Sequence, residues 1–103
     1  MSSIVQINFP YTETRAEIET HSEEAAGRFT GVDGLIWKIW LVDEATKMAG
    51  GIYLFDSRDQ AEAYAAGELV EHLKNVRDSV TVSVFDTIDG AGLVTNAPVE
   101  LIH

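Results

Sequence analysis

Near its start the chain alternates like an extended strand. From Met1 to Phe9, Val5, Ile7 and Phe9 fall on one side and Ile4, Gln6 and Asn8 on the other. Pro10, with no amide hydrogen to give a ladder, stops it. From about Thr12 to Phe29 the period becomes helical: Ile18, Ser22, Ala25 and Phe29 form one stripe, with Glu17, Glu23 and Glu24 off it. Glu13 and Glu17 put negative charge where the helix dipole is positive. Gly31 and Gly34 bracket a turn. Gly34 to Val42 and Met48 to Phe55 are apolar on both faces and read as central strands, with Glu44 to Lys47 as the hairpin connection. Pairing about that loop sets Trp40 opposite Gly51, Lys38 opposite Tyr53 and Ile36 opposite Phe55. The other face carries Trp37, Ile39, Leu41, Ile52 and Leu54, and a one-residue slip would exchange the two faces. Ser57, with Gln60 three residues on, caps a second helix whose Ala61, Tyr64 and Ala65 turn inward. Gly67 breaks or bends it, and Leu69, Leu73 and Val76 continue the stripe. Ser79 to Thr87 alternates again, Val80, Val82 and Val84 against Thr81, Ser83 and Phe85. Beyond Gly90 no period is clear. Val99 to Ile102 has two readings, a short edge strand or a segment lying across a partner.

The order is β-α-β-β-α-β, the ferredoxin-like split βαβ unit of the α+β class, in one domain over residues 1–103. Right-handed crossovers put both helices on one face of a four-stranded antiparallel sheet. The helix-free face then exposes a contiguous apolar patch larger than soluble monomers usually carry. A two-fold homodimer packed sheet to sheet covers it.

Composition narrows the function. The 103 residues carry a formal charge of −10, which argues against nucleic acid as a partner, since phosphate binding is driven by Lys and Arg. At 46% hydrophobic the chain is too apolar to be disordered. It contains no cysteine, so disulfides, thiol chemistry and Cys-ligated zinc are excluded. No run approaches the length of a membrane span, and the start lacks a signal-peptide pattern, so a cytoplasmic protein with no membrane partner is expected. His21, His72 and His103 share no ligand spacing, and no phosphate or dinucleotide loop is present; neither a metal nor another cofactor is expected.

The run Gly34-Leu-Ile-Trp-Lys-Ile-Trp40, then Glu44, Gly50-Gly-Ile-Tyr-Leu-Phe55 and Tyr64, resembles the YdhR-like family of monooxygenases, most strongly between residues 34 and 64. The resemblance implies the dimeric α+β barrel fold. It also implies kinship with cofactor-free oxygenases that convert polycyclic anthrones to quinones. Those enzymes carry Asn-x-x-x-Trp on the third strand, facing the cavity, where this chain has Gly51 and Phe55. Oxygenation without metal or flavin needs an apolar pocket, a base to make an electron-rich anion, and donors for developing charge. The candidates are Lys38, Tyr53 and His21 for catalysis, and Trp40, Gly51, Phe55, Tyr64 and Phe29 for binding an aromatic ligand. Gly51, lacking a side chain opposite Trp40, leaves the room for a flat molecule. Plainer roles stand beside these: Lys38 paired with Glu44 or reaching solvent, His21 and His72 on helix surfaces, Trp37 in dimer packing. The function read here is a small homodimeric monooxygenase acting on an aromatic molecule. The alternatives are a non-catalytic carrier or sensor of an apolar metabolite and a structural dimerisation module with a filled core.

Overall fold

The computed structural model describes residues 2–99. Strand β1 runs Ser3–Pro10, helix α1 Arg15–Ala25, β2 Leu35–Asp43 and β3 Met48–Phe55; then come α2 Arg58–Ala65, α3 Glu68–Val76, β4 Thr81–Asp86 and a short α4, Asp89–Val94. The four strands form one antiparallel sheet in the order β2-β3-β1-β4, the ferredoxin-type α+β arrangement. No described helix is long and apolar enough to cross a membrane.

Local chemistry sets the element ends. Thr14 caps α1: its hydroxyl accepts from the Glu17 amide at 3.2 Å while the Glu17 carboxylate accepts the Thr14 amide at 3.0 Å. Ser57 caps α2 by accepting the Gln60 amide at 3.2 Å. Pro10 does not stop β1 before itself; it pairs with Met48 as the last strand residue. On the other side of β1 the ladder with β4 reaches no further than Asn8 opposite Thr81, the first residue of β4, so no ladder partner is left wanting proline's missing hydrogen.

The first helix is shorter than its period suggests. After Ala25 the chain tightens into a 3-10 turn, Ala26–Phe29, where Gly27 offers little helical preference. That turn drives Phe29 down onto the sheet. At Gly67 the second helical stretch divides, and the break resets its phase: Val70, not Leu69 or Val76, takes the core position. Val70 is 1% exposed, against 39% for Leu69 and 60% for Val76.

The hairpin register sets Lys38 opposite Tyr53 and Trp40 opposite Gly51, as the loop position implies. Further along, a bulge between Leu35 and Trp37 drops Ile36 out of the ladder, so Leu35 faces Phe55 and Ile36 is turned to solvent. The backbones of β3 and β1 approach closely at Gly50, where a Cβ would collide with the Ile7 carbonyl. Val5, Ile7, Tyr53, Phe55, Ala61 and Val70 fill the main core between sheet and helices. A smaller cluster of Tyr11, Ile18 and Ala49 closes the end near the β2–β3 loop.

The helix-free face is not bare. The chain after β4 forms α4 and turns back, and the Trp37 indole donates to the Pro98 carbonyl at 3.1 Å. Leu54, expected at an intermolecular seam, is fully buried within its own chain. Val99 donates to Ala97 in a turn, not an edge strand; residues 100–102 of that expected strand lie outside the described residues. Ile39 and Phe85, on the same face, remain about half exposed.

Candidate active site

A cavity of about 370 Å³ lies between α1 and α3 over the sheet. Its floor comes from alternate residues of β2 and β3, since only every second side chain of a strand points toward the helices. Lys38, Trp40 and Tyr53 line it there, joined by Phe29 from the 3-10 turn and Tyr64 from α2.

Lys38 is the centre of this group. Its Nζ stands 3.2 Å from the Trp40 ring centroid, 3.7 Å from that of Phe29 and 4.6 Å from that of Tyr53. Phe29 and Trp40 meet edge to face at 5.4 Å and brace each other. Among the described residues no carboxylate, Glu44 included, forms an ion pair with Lys38. Burial disfavours the ammonium and pushes the Lys38 pKa down to about 7. The negative faces of the rings offset part of that cost.

Gly51 has a role other than the one its sequence position suggests. A Cβ there would stand 2.9 Å from Lys38 Cε and 3.2 Å from a Tyr53 ring carbon. The missing side chain makes room for the lysine stem, so the space opposite Trp40 is already filled. Phe55 does not line the cavity either. It is fully buried, with its ring 5.3 Å from that of Tyr64, and forms the packing beneath.

Tyr53 and Tyr64 pack with ring centroids 5.0 Å apart and are almost fully buried. Burial pushes both phenols up, that of Tyr53 further through its contact with Tyr64. Both therefore remain protonated, as hydrogen-bond donors, across the physiological range.

His21 also lines the cavity, but at its edge and already engaged: its Nδ1 is 3.2 Å from a Glu13 carboxylate oxygen. Arg77, at the end of α3, grips that same carboxylate through two bonds of 2.7 and 2.6 Å. This fork holds the Glu13 carboxyl down at about 2. The Lys47 ammonium donates to the Glu13 carbonyl at 2.5 Å, tying the β2–β3 loop to the start of α1. Glu13, Arg77 and the cavity residues Arg28 and Leu69 are absent from the sequence-derived candidates. Glu13 and Arg77 stand 64 positions apart, and no local pattern links them.

On its far side Trp40 walls a second hollow of about 370 Å³ between α1 and β2, lined by Arg15, Ile18, Glu23, Ala26 and Val42. Among the described residues no group of three His, Asp or Glu side chains could hold a metal ion.

The fold is similar to two solved structures. A protein of unknown function from Nitrosomonas europaea superposes with a TM-score of 0.65 at 10% identity, covering 84% of this chain and 89% of that one. An antibiotic biosynthesis monooxygenase from Deinococcus radiodurans, itself described as putative, superposes with a TM-score of 0.59 at 12% identity, over 84% and 92%. At such identities the likeness speaks for the fold alone. No curated protein matches the chain. The sequence model of one family does match, over residues 4–98, and so the chain belongs to the family described as putative mono-oxygenase ydhR.

Proposed function

We propose that the protein is a monooxygenase that uses dioxygen to oxidise a small aromatic or polycyclic molecule, without a bound cofactor, in the cavity between sheet and helices. One observation carries the reading: an amine with no carboxylate partner among the described residues, held by three aromatic rings on the cavity floor, changes charge near neutral pH. That is the property a general base for a weak carbon or phenol acid needs. Membership of a monooxygenase family supports the same reaction class.

In this mechanism a ring ketone with an activated CH2 group stacks against Trp40 and Phe29. Neutral Lys38 removes one proton from that carbon, and Tyr53 and Tyr64 donate to the oxygen on which negative charge develops. The anion gives one electron to dioxygen, and the resulting radical and superoxide combine into a carbon-bound peroxide. The Lys38 ammonium returns its proton to the peroxide. The amine then takes the second hydrogen of that carbon as the O–O bond breaks. One oxygen atom stays as the new carbonyl, and the other leaves as hydroxide and takes the proton to become water. His21 contributes to the electrostatics of the edge through Glu13 and is not required as the base.

The same reading includes a homodimer through the helix-free sheet face, which would cover Ile39 and Phe85, 48% and 54% exposed in the single chain. Light scattering at micromolar protein tests it; a monomer there overturns it.

For the chemistry, the test is oxygen uptake with anthrone, with labelled dioxygen to trace one atom into the quinone. Wild-type turnover should rise with pH through about 7, because the neutral amine is the active form, and Lys38→Met should lower it by about a hundredfold or more. Undiminished turnover in that variant rejects Lys38 as base. Anthrone binding without oxygen uptake would make the protein a carrier.

A further inference from the structure

We infer that the ligand is an aromatic acid: a ring system bearing a carboxylate, its rings on the aromatic floor and its anion between the two helices. This rests on the reading above that the cavity is the ligand site.

The argument is one of charge placement. The chain has 17 acidic side chains and 7 basic ones. In the cavity Arg28, Lys38 and Arg77 stand with His21 and His72 against one acidic liner among the described residues, Glu24; with Arg77 held by Glu13 and Lys38 working as the neutral amine, Arg28 and His72 are the groups left to meet an anion.

The positions are ordered as well. His21, Glu24 and Arg28 follow at spacings of three and four residues along α1 and its 3-10 extension, so they share one side of the cleft. His72 and Arg77 from α3 line the cavity with them. Arg77 and His21 are occupied by Glu13. Arg28 and His72 form no ion pair among the described residues. A neutral ring system closing over this cleft would strip water from the Arg28 guanidinium and give it nothing in return. A carboxylate instead accepts a pair of charge-assisted hydrogen bonds in the planar geometry that guanidinium offers. A cationic ligand would meet the Arg28 guanidinium and be repelled. The two halves of the site thus divide the ligand: rings to Phe29, Trp40 and the tyrosines, the permanent charge to the helix rim.

Three probes of one shape separate the alternatives: 9-anthracenecarboxylate, 9-anthracenemethanol and 9-anthracenemethylammonium, titrated by fluorescence anisotropy against the full chain. The carboxylate should bind about tenfold or more tighter than the alcohol at low salt, the ammonium weakest, with the advantage shrinking as salt rises. Arg28→Gln, and Arg28→Gln combined with His72→Gln, should lower carboxylate affinity by about fivefold to tenfold while leaving the alcohol unchanged. Both positions are exposed, so folding should survive, as circular dichroism will show. Equal binding of alcohol and carboxylate overturns the acid proposal and leaves the aromatic cavity standing. A carboxylate preference that neither variant reduces places the anion elsewhere and also overturns it. Binding of none of the three removes the aromatic-cavity reading and the acid proposal together.

Discussion

The two faces of the β2–β3 hairpin are built from alternate residues of the same two strands, and they have become different materials. Toward the helices stand Lys38, Trp40 and Tyr53, with Gly51 beneath; away from them stand Trp37, Ile39, Leu41, Ile52 and Leu54. The helix side is polarised: an amine among aromatic rings, two buried phenols and a cavity rimmed with cations. The helix-free side carries only apolar side chains, and the returning C-terminal segment meets it where the Trp37 indole donates to the Pro98 carbonyl, while Leu54 is fully buried. Helices diverge as they cross a twisted sheet and leave room between them, whereas a flat apolar face invites contact until it is covered. A step of one residue along a strand therefore separates the lining of a cavity from plain packing.

The sharpest way to break this comparison is at Leu54. Because it is fully buried inside its own chain, Leu54→Asp should abolish folding: an unpaired carboxylate in the core costs several kcal/mol, on the scale of total stability. Ile39→Asp, one face but a few ångströms apart in role, should leave a folded chain and shift only its association, as circular dichroism and light scattering will show. If both variants behave alike, the division of that face into an intrachain and an intermolecular part is wrong.

Next in size is the link between the helices at the cavity edge. Glu13→Gln removes a charge that Arg77 grips bidentately and should cost about 1 to 3 kcal/mol in urea melts. The wild-type sign follows from linkage. The folded carboxyl titrates at about 2 against an ordinary 4.5, so its contribution is complete above about 4.5 and is lost as pH falls toward 2. The variant should lack that part of the acid dependence.

The smallest effect is expected beneath the lysine. Gly51→Ala brings a methyl to 2.9 Å from Lys38 Cε, a contact that the flexible stem relieves by swinging aside. Stability should change by less than about 1 kcal/mol, while the amine leaves its seat among the rings. Its pKa, followed by NMR of the side chain, should rise from about 7 toward the ordinary value as hydration returns. An unmoved pKa would mean that Gly51 does not hold the lysine in place.

Most of the fold could be read from residue order. Alternation at Val5, Ile7 and Phe9, the cap at Ser57, and the hairpin register through Lys38 and Trp40 are local properties, because each depends on neighbours within a turn or across one loop. The misreadings share one cause. Counting pairs from the loop sets Ile36 opposite Phe55, but a bulge between Leu35 and Trp37 shifts the count and brings Leu35, packed against the core, to that place. Continuing the period through Gly67 turns Leu69 and Val76 inward, but the phase is reset at that residue.

For the site, the residue types and their shared face were legible: Lys38, Trp40 and Tyr53 follow from period-two alternation, and Tyr64 and Phe29 from the apolar stripes of their helices. What occupies the space over Gly51 was not, since a glycine announces room and says nothing of what fills it. The fork between Glu13 and Arg77, the cations along the cleft and the bond from Trp37 to Pro98 depend on how helices and termini far apart in the chain are carried over the sheet. Sequence alone determined the strands, the helices and which side chains share a face, because those rest on backbone periodicity. Tertiary structure decided which charges meet, which apolar residues are covered and where the cavity opens, because these are set by contacts between segments tens of residues apart.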